Sequence, residues 1–272
     1  MNYLDYLRTD KFPHFWCSGC GNGIVLCAIA RAFEELDLTL EITVVVTGIG
    51  CWGKADDYVR TNSFHGTHGR ALAFATGIKL ANPSLNVVVL MGDGDGITIG
   101  GNHFIHAARR NVDVTAILVN NFNYGMTGGQ YSGTTPEERI TTTSRYGHIE
   151  EGFDICAVAK AAGARYVARA STENPQQLKN LIRDGIKKQG FACIEAISPC
   201  PTHFGRNNGM RSPAALMRWV NENSVTPAQA VAMSEEELAG KLVMGLICDR
   251  PGEDYSTKYQ HVIEKAQSEV KK

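Results

Sequence analysis

Gly92-Asp93-Gly94-Asp95 and Asn120-Asn121 are the residues of this chain best suited to chemistry on a charged ligand. Each cluster directly follows an apolar run, Val87-Val88-Val89-Leu90-Met91 in the first case and Val114-Thr115-Ala116-Ile117-Leu118-Val119 in the second. Two buried strands therefore deliver acidic and amide side chains at their C-terminal tips. The helix-length stretch between them makes the unit a βαβ crossover. Asp and Asn oxygens gathered at strand tips suit a hard cation such as Mg²⁺, which also takes diphosphate oxygens. The glycines let backbone N–H groups approach such phosphates closely. A lone Gly-Asp-Gly reads more readily as an ordinary glycine turn after a parallel strand; the paired asparagines at the next strand tip favour the metal–diphosphate site.

Four cysteines form a second candidate centre. Trp16-Cys17-Ser18-Gly19-Cys20-Gly21 places two thiols just before a helix-like segment. Cys51 follows Gly48-Ile49-Gly50 after an apolar strand, and Cys200 stands in Ser198-Pro199-Cys200-Pro201 after another. In a parallel sheet both emerge on the edge that carries the Gly-Asp-Gly turn. Four thiolates around one point suit an iron–sulfur cluster or zinc. The Cys-x-x-Cys alone is equally a redox dithiol, a zinc half-site or chance. Cys27, Cys156, Cys193 and Cys248 lie in apolar surroundings and are expected to be small buried hydrophobes.

The elements that must position these groups follow from the hydrophobic pattern. Apolar runs at 42–46, 87–91, 114–119, 166–168 and 192–197 read as strands. Helix-like periodicity occupies 22–35, 68–80, 102–110, 153–162 and 176–188. The alternation predicts an α/β fold, a doubly wound and mostly parallel sheet with helices on both faces. In such sheets ligands bind beyond the C-terminal strand ends, where the polar clusters fall. The loop 122–150 is long and rich in Gly and Thr, and its place after Asn121 favours a functional role. The expected division is one α/β domain over 1–200 and a C-terminal extension over 201–272 that packs on the domain or on a partner. Short helical patterns within that extension fall at 212–223 and 234–241.

Composition narrows the function classes. The chain has 272 residues, 43% of them hydrophobic, and a formal net charge of -1. No basic block is present, so nucleic acid is not an expected partner. No apolar stretch approaches the roughly 20 residues of a membrane span. The first residues lack signal-peptide order, which makes the expected location cytoplasmic. Eight cysteines in such a chain point to metal binding or buried thiols instead of a disulfide framework.

The Gly-Asp-Gly and Asn-Asn pair resembles the signature of thiamine diphosphate enzymes. With the cysteine set, the chain looks like the β subunit of the 2-oxoacid:ferredoxin oxidoreductases over residues 12–208. The resemblance implies thiamine diphosphate held through Mg²⁺ on the side chains of Asp93 and Asn121 and the backbone carbonyl of Asn123. It implies cofactor contacts at Ile49, Gly50, Cys51, Trp52, His68, Gly92, Gly94, Asp95, Gly125 and Met126. It also implies a [4Fe–4S] cluster on Cys17, Cys20, Cys51 and Cys200. Phe64-His65-Gly66-Thr67-His68-Gly69-Arg70 and Cys200-Pro201-Thr202-His203-Phe204-Gly205-Arg206-Asn207-Asn208 lean towards the 2-oxoglutarate branch. Gly128 stands where some broad-specificity relatives carry a lysine.

Thiamine diphosphate supplies an ylid that adds to a 2-oxoacid and stabilises the carbanion left by decarboxylation. A cluster in the same chain points to oxidation by single electrons, with the acyl group passed to coenzyme A and the electrons to ferredoxin. The glutamate that activates the pyrimidine belongs, by the resemblance, to another domain. The implied partner is therefore an α subunit carrying the pyrimidine-binding domain, with room for further small subunits. His65, His68, Lys54 and Arg70 are the local candidates for proton transfer or carboxylate binding. The competing readings are the same reaction on pyruvate or branched-chain acids, a thiamine-dependent carboligase or decarboxylase, and a non-catalytic electron-transfer or metal-binding module.

Overall fold

The apolar runs form strands and the periodic segments between them form helices. The computed structural model describes residues 1–270. The first part of the chain comprises α1 (Asn22–Glu35), β1 (Thr43–Thr47), β2 (Asn62–His65), α2 (Ala71–Ala81), β3 (Asn86–Gly92) and α3 (Gly101–Arg110). It continues with β4 (Thr115–Asn120), α4 (Ile155–Ala162), β5 (Tyr166–Ser171), α5 (Pro175–Lys187) and β6 (Ala192–Ile197). The C-terminal segment adds α6 (Pro213–Glu222), β7 (Ser224–Val225), α7 (Pro227–Val231) and α8 (Glu235–Leu238). It closes with β8 (Leu242–Val243), β9 (Gly245–Asp249) and α9 (Tyr255–Val270).

Seven strands make one sheet in the order β2-β1-β3-β4-β6-β5-β9. All pairs are parallel except β5 with β9. The chain leaves β1 towards β2 on one side and resumes at β3 on the other. This reversal opens a crevice between the tips of β1 and β3, the usual ligand position in doubly wound sheets.

Side chains alternate between two core layers, as the period of two in a strand requires. Val45, Val88, Leu90 and Ile117 meet Val25, Ile29, Phe33, Leu178 and Ile182 of α1 and α5. Val44, Val46, Val89, Met91 and Leu118 meet Leu72, Phe104 and Ile155 of α2, α3 and α4 on the opposite face. Each large apolar side chain fully buried this way contributes about 1.5–3 kcal/mol. Local signals set the helix ends: Asn174 accepts from Gln177 N–H at 3.0 Å with Pro175 in the first turn of α5. Asp154 caps α4 through Ala157 N–H at 2.8 Å, and Gly163 ends it with φ +110.

Three expectations shift and one strand is added, each for a physical reason. The strand expected over 166–168 runs on to Ser171, because Arg169 interrupts the apolar run yet is buried by ion pairing. The helix expected from His68 begins at Ala71, because Gly69 N–H and His68 turn towards Asp95 instead. β2 has no apolar signature, since all four of its residues are exposed on the sheet edge. The helix expected over 234–241 shortens to α8, with a left-handed Gly240 at φ +71 following it.

The C-terminal segment packs back on the rest of the chain along its length. Phe204, Leu216 and Val220 pack with Phe122 and Ile197 beneath the long loop, and β9 extends the sheet edge. α9 has no buried residue along its length. No helix among the described residues is long and apolar enough to cross a membrane.

Candidate functional site

The tips of β1, β3 and β4 converge with the segment Tyr124 to Thr127 around a cavity of about 80 Å³. Ile49, Gly50, Cys51 and Trp52 come from the β1 tip, and Gly92 to Asp95 from the β3 tip. Asn121, Asn123, Gly125 and Met126 come from the loop after β4, and His68 from the turn before α2. These are the residues expected to contact a cofactor; Tyr124 and Thr127 line the cavity with them. After Asp93 the chain makes one π turn, Gly94–Ile99, a wide turn often found at functional sites.

Asp93 is 1% exposed. Its Oδ2 accepts from Ser132 Oγ at 2.5 Å and Thr134 Oγ1 at 2.6 Å. Its Oδ1 has only the Asn121 N–H at 3.4 Å. Burial pushes the Asp93 carboxyl above the usual carboxylate range, and these donors oppose the rise. A cation beside Oδ1 would offset the cost of holding that buried charge.

Asn121 Oδ1 accepts from Asn123 N–H at 3.1 Å, a tight asparagine turn that brings the two residues together. Asn123 is 3% exposed, yet neither polar atom of its side chain has a partner. Asp95 Oδ1 accepts from Gly69 N–H at 2.7 Å and stands 2.8 Å from His68 Nδ1, close enough for an ion pair but without aligned hydrogen-bond geometry. Asp95 Oδ2 has no partner. Each unsatisfied buried polar atom costs about 1–3 kcal/mol, so their concentration on one cleft fits a polar, charged ligand.

Two glycines keep the cleft open. A Cβ on Gly125 would lie 3.5 Å from both Asn123 Oδ1 and Cys51 Sγ and 3.6 Å from Asn121 Nδ2. A Cβ on Gly94 would lie 2.3 Å from the Tyr124 ring, whose hydroxyl donates to Gly94 O at 3.2 Å. Gly94→Ala is therefore expected to displace Tyr124 and to destabilise the protein by about 1–3 kcal/mol through overpacking. It should also weaken binding of the expected cofactor, thiamine diphosphate, by about tenfold or more, read by calorimetry. Unchanged affinity in that variant would show that the close approach of Tyr124 does not shape the site.

The four singled-out cysteines are free, Cys17 exposed and Cys20, Cys51 and Cys200 half-buried. Burial pushes the Cys20 thiol up to about 12, with Cys200, Cys51 and Cys17 adding to the rise. Cys51 is pushed up to about 11, by burial first and then by Cys200 and Cys17. Cys20 and Cys51 thus each lie within electrostatic reach of Cys17 and Cys200. Thiolates so disfavoured need a compensating positive centre, which is what a ligated metal provides. Cys51 also lines the cofactor cleft, so the two candidate centres share a wall. Of the remaining cysteines, Cys156 and Cys193 are buried, whereas Cys27 and Cys248 are only half-buried and depart from expectation. Cys27 sits beside Arg31 at the surface of α1, and Cys248 lies on the edge strand β9.

Three expected catalytic side chains stand away from the cavity wall. Lys54 pairs with Asp57 at 2.6 Å, and His65 sits on β2 between Thr47 Oγ1 at 3.0 Å and Asp56 Oδ2 at 3.1 Å. Arg70 is exposed at the start of α2, its guanidinium donating to Gly69 O at 3.3 Å. Of the four candidates, His68 alone lines the cavity. Sequence reasoning missed Ser132 and Thr134, the hydroxyls that grip Asp93. Their signal was the cluster Ser132-Gly133-Thr134-Thr135 within an otherwise irregular loop.

Comparison with known proteins bears on the family and the fold. Residues 48–196 match the family described as thiamine pyrophosphate enzyme, C-terminal TPP binding domain. The chain is 49% identical over 268 residues to 2-oxoglutarate synthase subunit KorB of Methanothermobacter marburgensis, covering 98% of this chain and 94% of that protein. It is 51% identical over 266 residues to the KorB subunit of Methanocaldococcus jannaschii, covering 98% of each. The 2-oxoglutarate:ferredoxin oxidoreductase of Magnetococcus marinus, solved with 2-oxoglutarate, coenzyme A and succinyl-CoA bound, superposes with a TM-score of 0.87. That match has 32% identity and covers 98% of this chain and 91% of that one.

Proposed function

The chain belongs to the thiamine diphosphate-binding β subunits of the 2-oxoglutarate:ferredoxin oxidoreductases, and on that premise we propose how its site works. Joined to an α subunit, it carries out coenzyme A-dependent oxidative decarboxylation of 2-oxoglutarate to succinyl-CoA, with the electrons passed to ferredoxin. The observation that carries this reading is Cys51, which belongs to the four-thiol set and also lines the cleft beside Asp93 and Asn121. A carboligase or decarboxylase would use the cleft alone. The redox reading uses both centres.

Asp93 through Oδ1, Asn121 through its side-chain oxygen and Asn123 through its carbonyl would hold Mg²⁺ and, through it, the diphosphate. Bound there, thiamine diphosphate supplies the carbon nucleophile and the electron sink. The chain's own residues orient and enclose it. Gly125 leaves room for its approach, Gly94 lets Tyr124 close on the turn, Tyr124 and Met126 wall the cleft, and Asp95 holds His68 at the cavity edge. Cys17, Cys20, Cys51 and Cys200 would hold a [4Fe–4S] cluster. These ligands all come from residues 1–200, while the described residues from 201 onwards form the extension that braces the loop. The reducing cytoplasm suits such free thiols.

A dicarboxylic substrate needs a cation for its distal carboxylate. Lys54 is occupied by Asp57 and Arg70 stands off the cavity, so the partner subunit supplies that cation in this reading. The test is viologen or ferredoxin reduction by the co-expressed complex, with 2-oxoglutarate, pyruvate and 2-oxoisovalerate compared by kcat/KM. We expect strict dependence on coenzyme A, a preference for 2-oxoglutarate and no turnover from this chain alone. A preference for pyruvate would overturn the substrate, and robust turnover by the isolated chain would overturn the shared site.

A further inference from the structure

Arg169 and Glu195 are each about 2% exposed in side chain, although they sit on the adjacent central strands β5 and β6. Arg169 Nε donates to Glu195 Oε2 at 2.7 Å, and Nη2 donates to Asp154 Oδ1 at 2.6 Å. Burial opposes the guanidinium charge, but Glu195, Cys156 and Asp154 outweigh it and hold its pKa well above the usual value. Asp154, Cys156 and Glu195 bring possible ligand atoms within 4.8 Å of one another. Arg169 bridges the two carboxylates, which makes the group an ion pair network and not a metal site.

The network does not stop at the ion pair. Asn120 Nδ2 donates to the other oxygen of Glu195, Oε1, at 2.8 Å. Thr134 Oγ1 lies 3.1 Å from Asn120 Oδ1 and 2.6 Å from Asp93 Oδ2, so its one hydroxyl proton is shared between the two oxygens. The same Asn120 oxygen accepts from Phe122 N–H at 3.1 Å, which fixes the backbone on the far side of Asn121. At the opposite end, Arg169 Nη1 donates to Val243 O of the C-terminal segment at 3.3 Å.

We propose that Arg169 and Glu195 are positioning residues for the metal–diphosphate site, acting through Asn120 and Thr134 on Asp93 and Asn121. A buried ion pair that spans two strands is a rigid reference point inside the sheet. Glu195 accepts from Arg169 with one oxygen and from Asn120 with the other, so the Asn120 amide is aimed. Its oxygen then holds Thr134 and the Phe122 amide, which sets the spacing between Asp93 Oδ1 and Asn121. Groups that orient metal ligands in this way typically affect metal affinity by about 10–100-fold. The contact with Val243 makes the seating of the C-terminal segment part of the same brace.

This inference rests on the metal–diphosphate reading above, and its test separates the two. The dissociation constant for thiamine diphosphate at fixed Mg²⁺ is measured by calorimetry for the full chain and for Glu195→Gln, Thr134→Val and the double variant. Gln keeps the size of Glu195 but removes the charge that fixes Arg169. We expect each single variant to bind about 10–100-fold more weakly. The double variant should lose less than the product of the two, because both cut one path although Glu195 and Thr134 do not touch. A purely structural role would lower the melting temperature yet leave affinity unchanged or the losses independent, and either result overturns the proposal. If Glu195→Gln does not fold, Arg169→Lys replaces it under the same criteria, keeping the charge and losing the fork. Asp93→Asn is run alongside. Undiminished binding there defeats the metal–diphosphate reading itself, whereas loss there with unaltered affinity in the other variants defeats the relay alone.

Discussion

Asp93→Asn is expected to abolish Mg²⁺-dependent thiamine diphosphate binding while the apo protein melts no lower than wild type. The amide has the shape of the carboxylate, and its oxygen still accepts from Ser132 and Thr134. What it lacks is the anionic Oδ1 that would ligate the metal, so the loss in affinity should exceed the roughly 100-fold typical of outer-shell changes. The stability side follows from burial. The Asp93 carboxyl is held above the usual carboxylate range, chiefly by desolvation. The folded state therefore keeps its proton to higher pH than the unfolded chain does. A group of that kind favours folding below its unfolded pKa, and that contribution is lost as pH rises through the folded value. Asn has no such loss, so the melting temperature of Asp93→Asn should gain on wild type as pH rises above the usual carboxylate range. Calorimetry gives the affinity, and thermal melts of apo protein across pH give the stability. Tight cofactor binding in the variant would remove Asp93 from the metal site.

The parts of this arrangement legible in the sequence are those written in apolar runs and strand tips. Val44 to Val46, Val87 to Met91 and Ala116 to Val119 are buried, and the cleft is lined by residues at or just beyond their C-terminal ends. Strand tips transmit position well, because a parallel sheet fixes where each strand ends relative to its neighbours. β2 escaped notice because an edge strand of four exposed residues needs no hydrophobic alternation. Arg169 hid the second half of β5, since a charged residue reads as a strand end until its buried partners on β6 and before α4 are known. α9 escaped for the opposite reason. Its sixteen residues bury nothing, so no core demanded a face from them.

The site shows the same division. Gly-Asp-Gly and Asn-Asn are local motifs, whereas the grip on Asp93 comes from hydroxyls about forty residues further along the chain. Ser132 and Thr134 carry no periodicity, and a loop rich in Ser and Thr is common. Their role depends on the loop folding back over the β3 tip, which Thr135 Oγ1 to Phe122 O at 2.8 Å and Phe153 N–H to Gly133 O at 2.7 Å secure. Lys54 and Arg70 fell near the site in sequence but not into its wall. Long charged side chains reach whichever partner lies in range, and for Lys54 that is Asp57 one turn away.

Serine at Cys17, Cys20, Cys51 or Cys200 is expected to strip the iron–sulfur centre, and the four replacements should differ in what else they cost. Anaerobically prepared wild-type chain should carry about four irons, as a cubane bound by four cysteines requires. Each replacement removes one thiolate, and the hydroxyl that takes its place is a far harder donor than the soft sulfur that iron in such clusters prefers. Cys17 is exposed and does not line the cavity. Cys17→Ser should therefore lose iron and retain thiamine diphosphate affinity. Cys51 lines the cavity close to the position of Gly125. Cys51→Ser should lose iron and weaken the cofactor as well. Cys27→Ser and Cys248→Ser alter half-buried thiols outside the set and should keep the full iron content. Iron analysis, visible absorption and electron paramagnetic resonance of the reduced protein read the cluster, and calorimetry reads the cofactor. Zinc without visible absorption in anaerobic wild-type protein would end the redox reading. Full iron in Cys51→Ser would break the link between the two centres, because no other residue of the set borders the cleft.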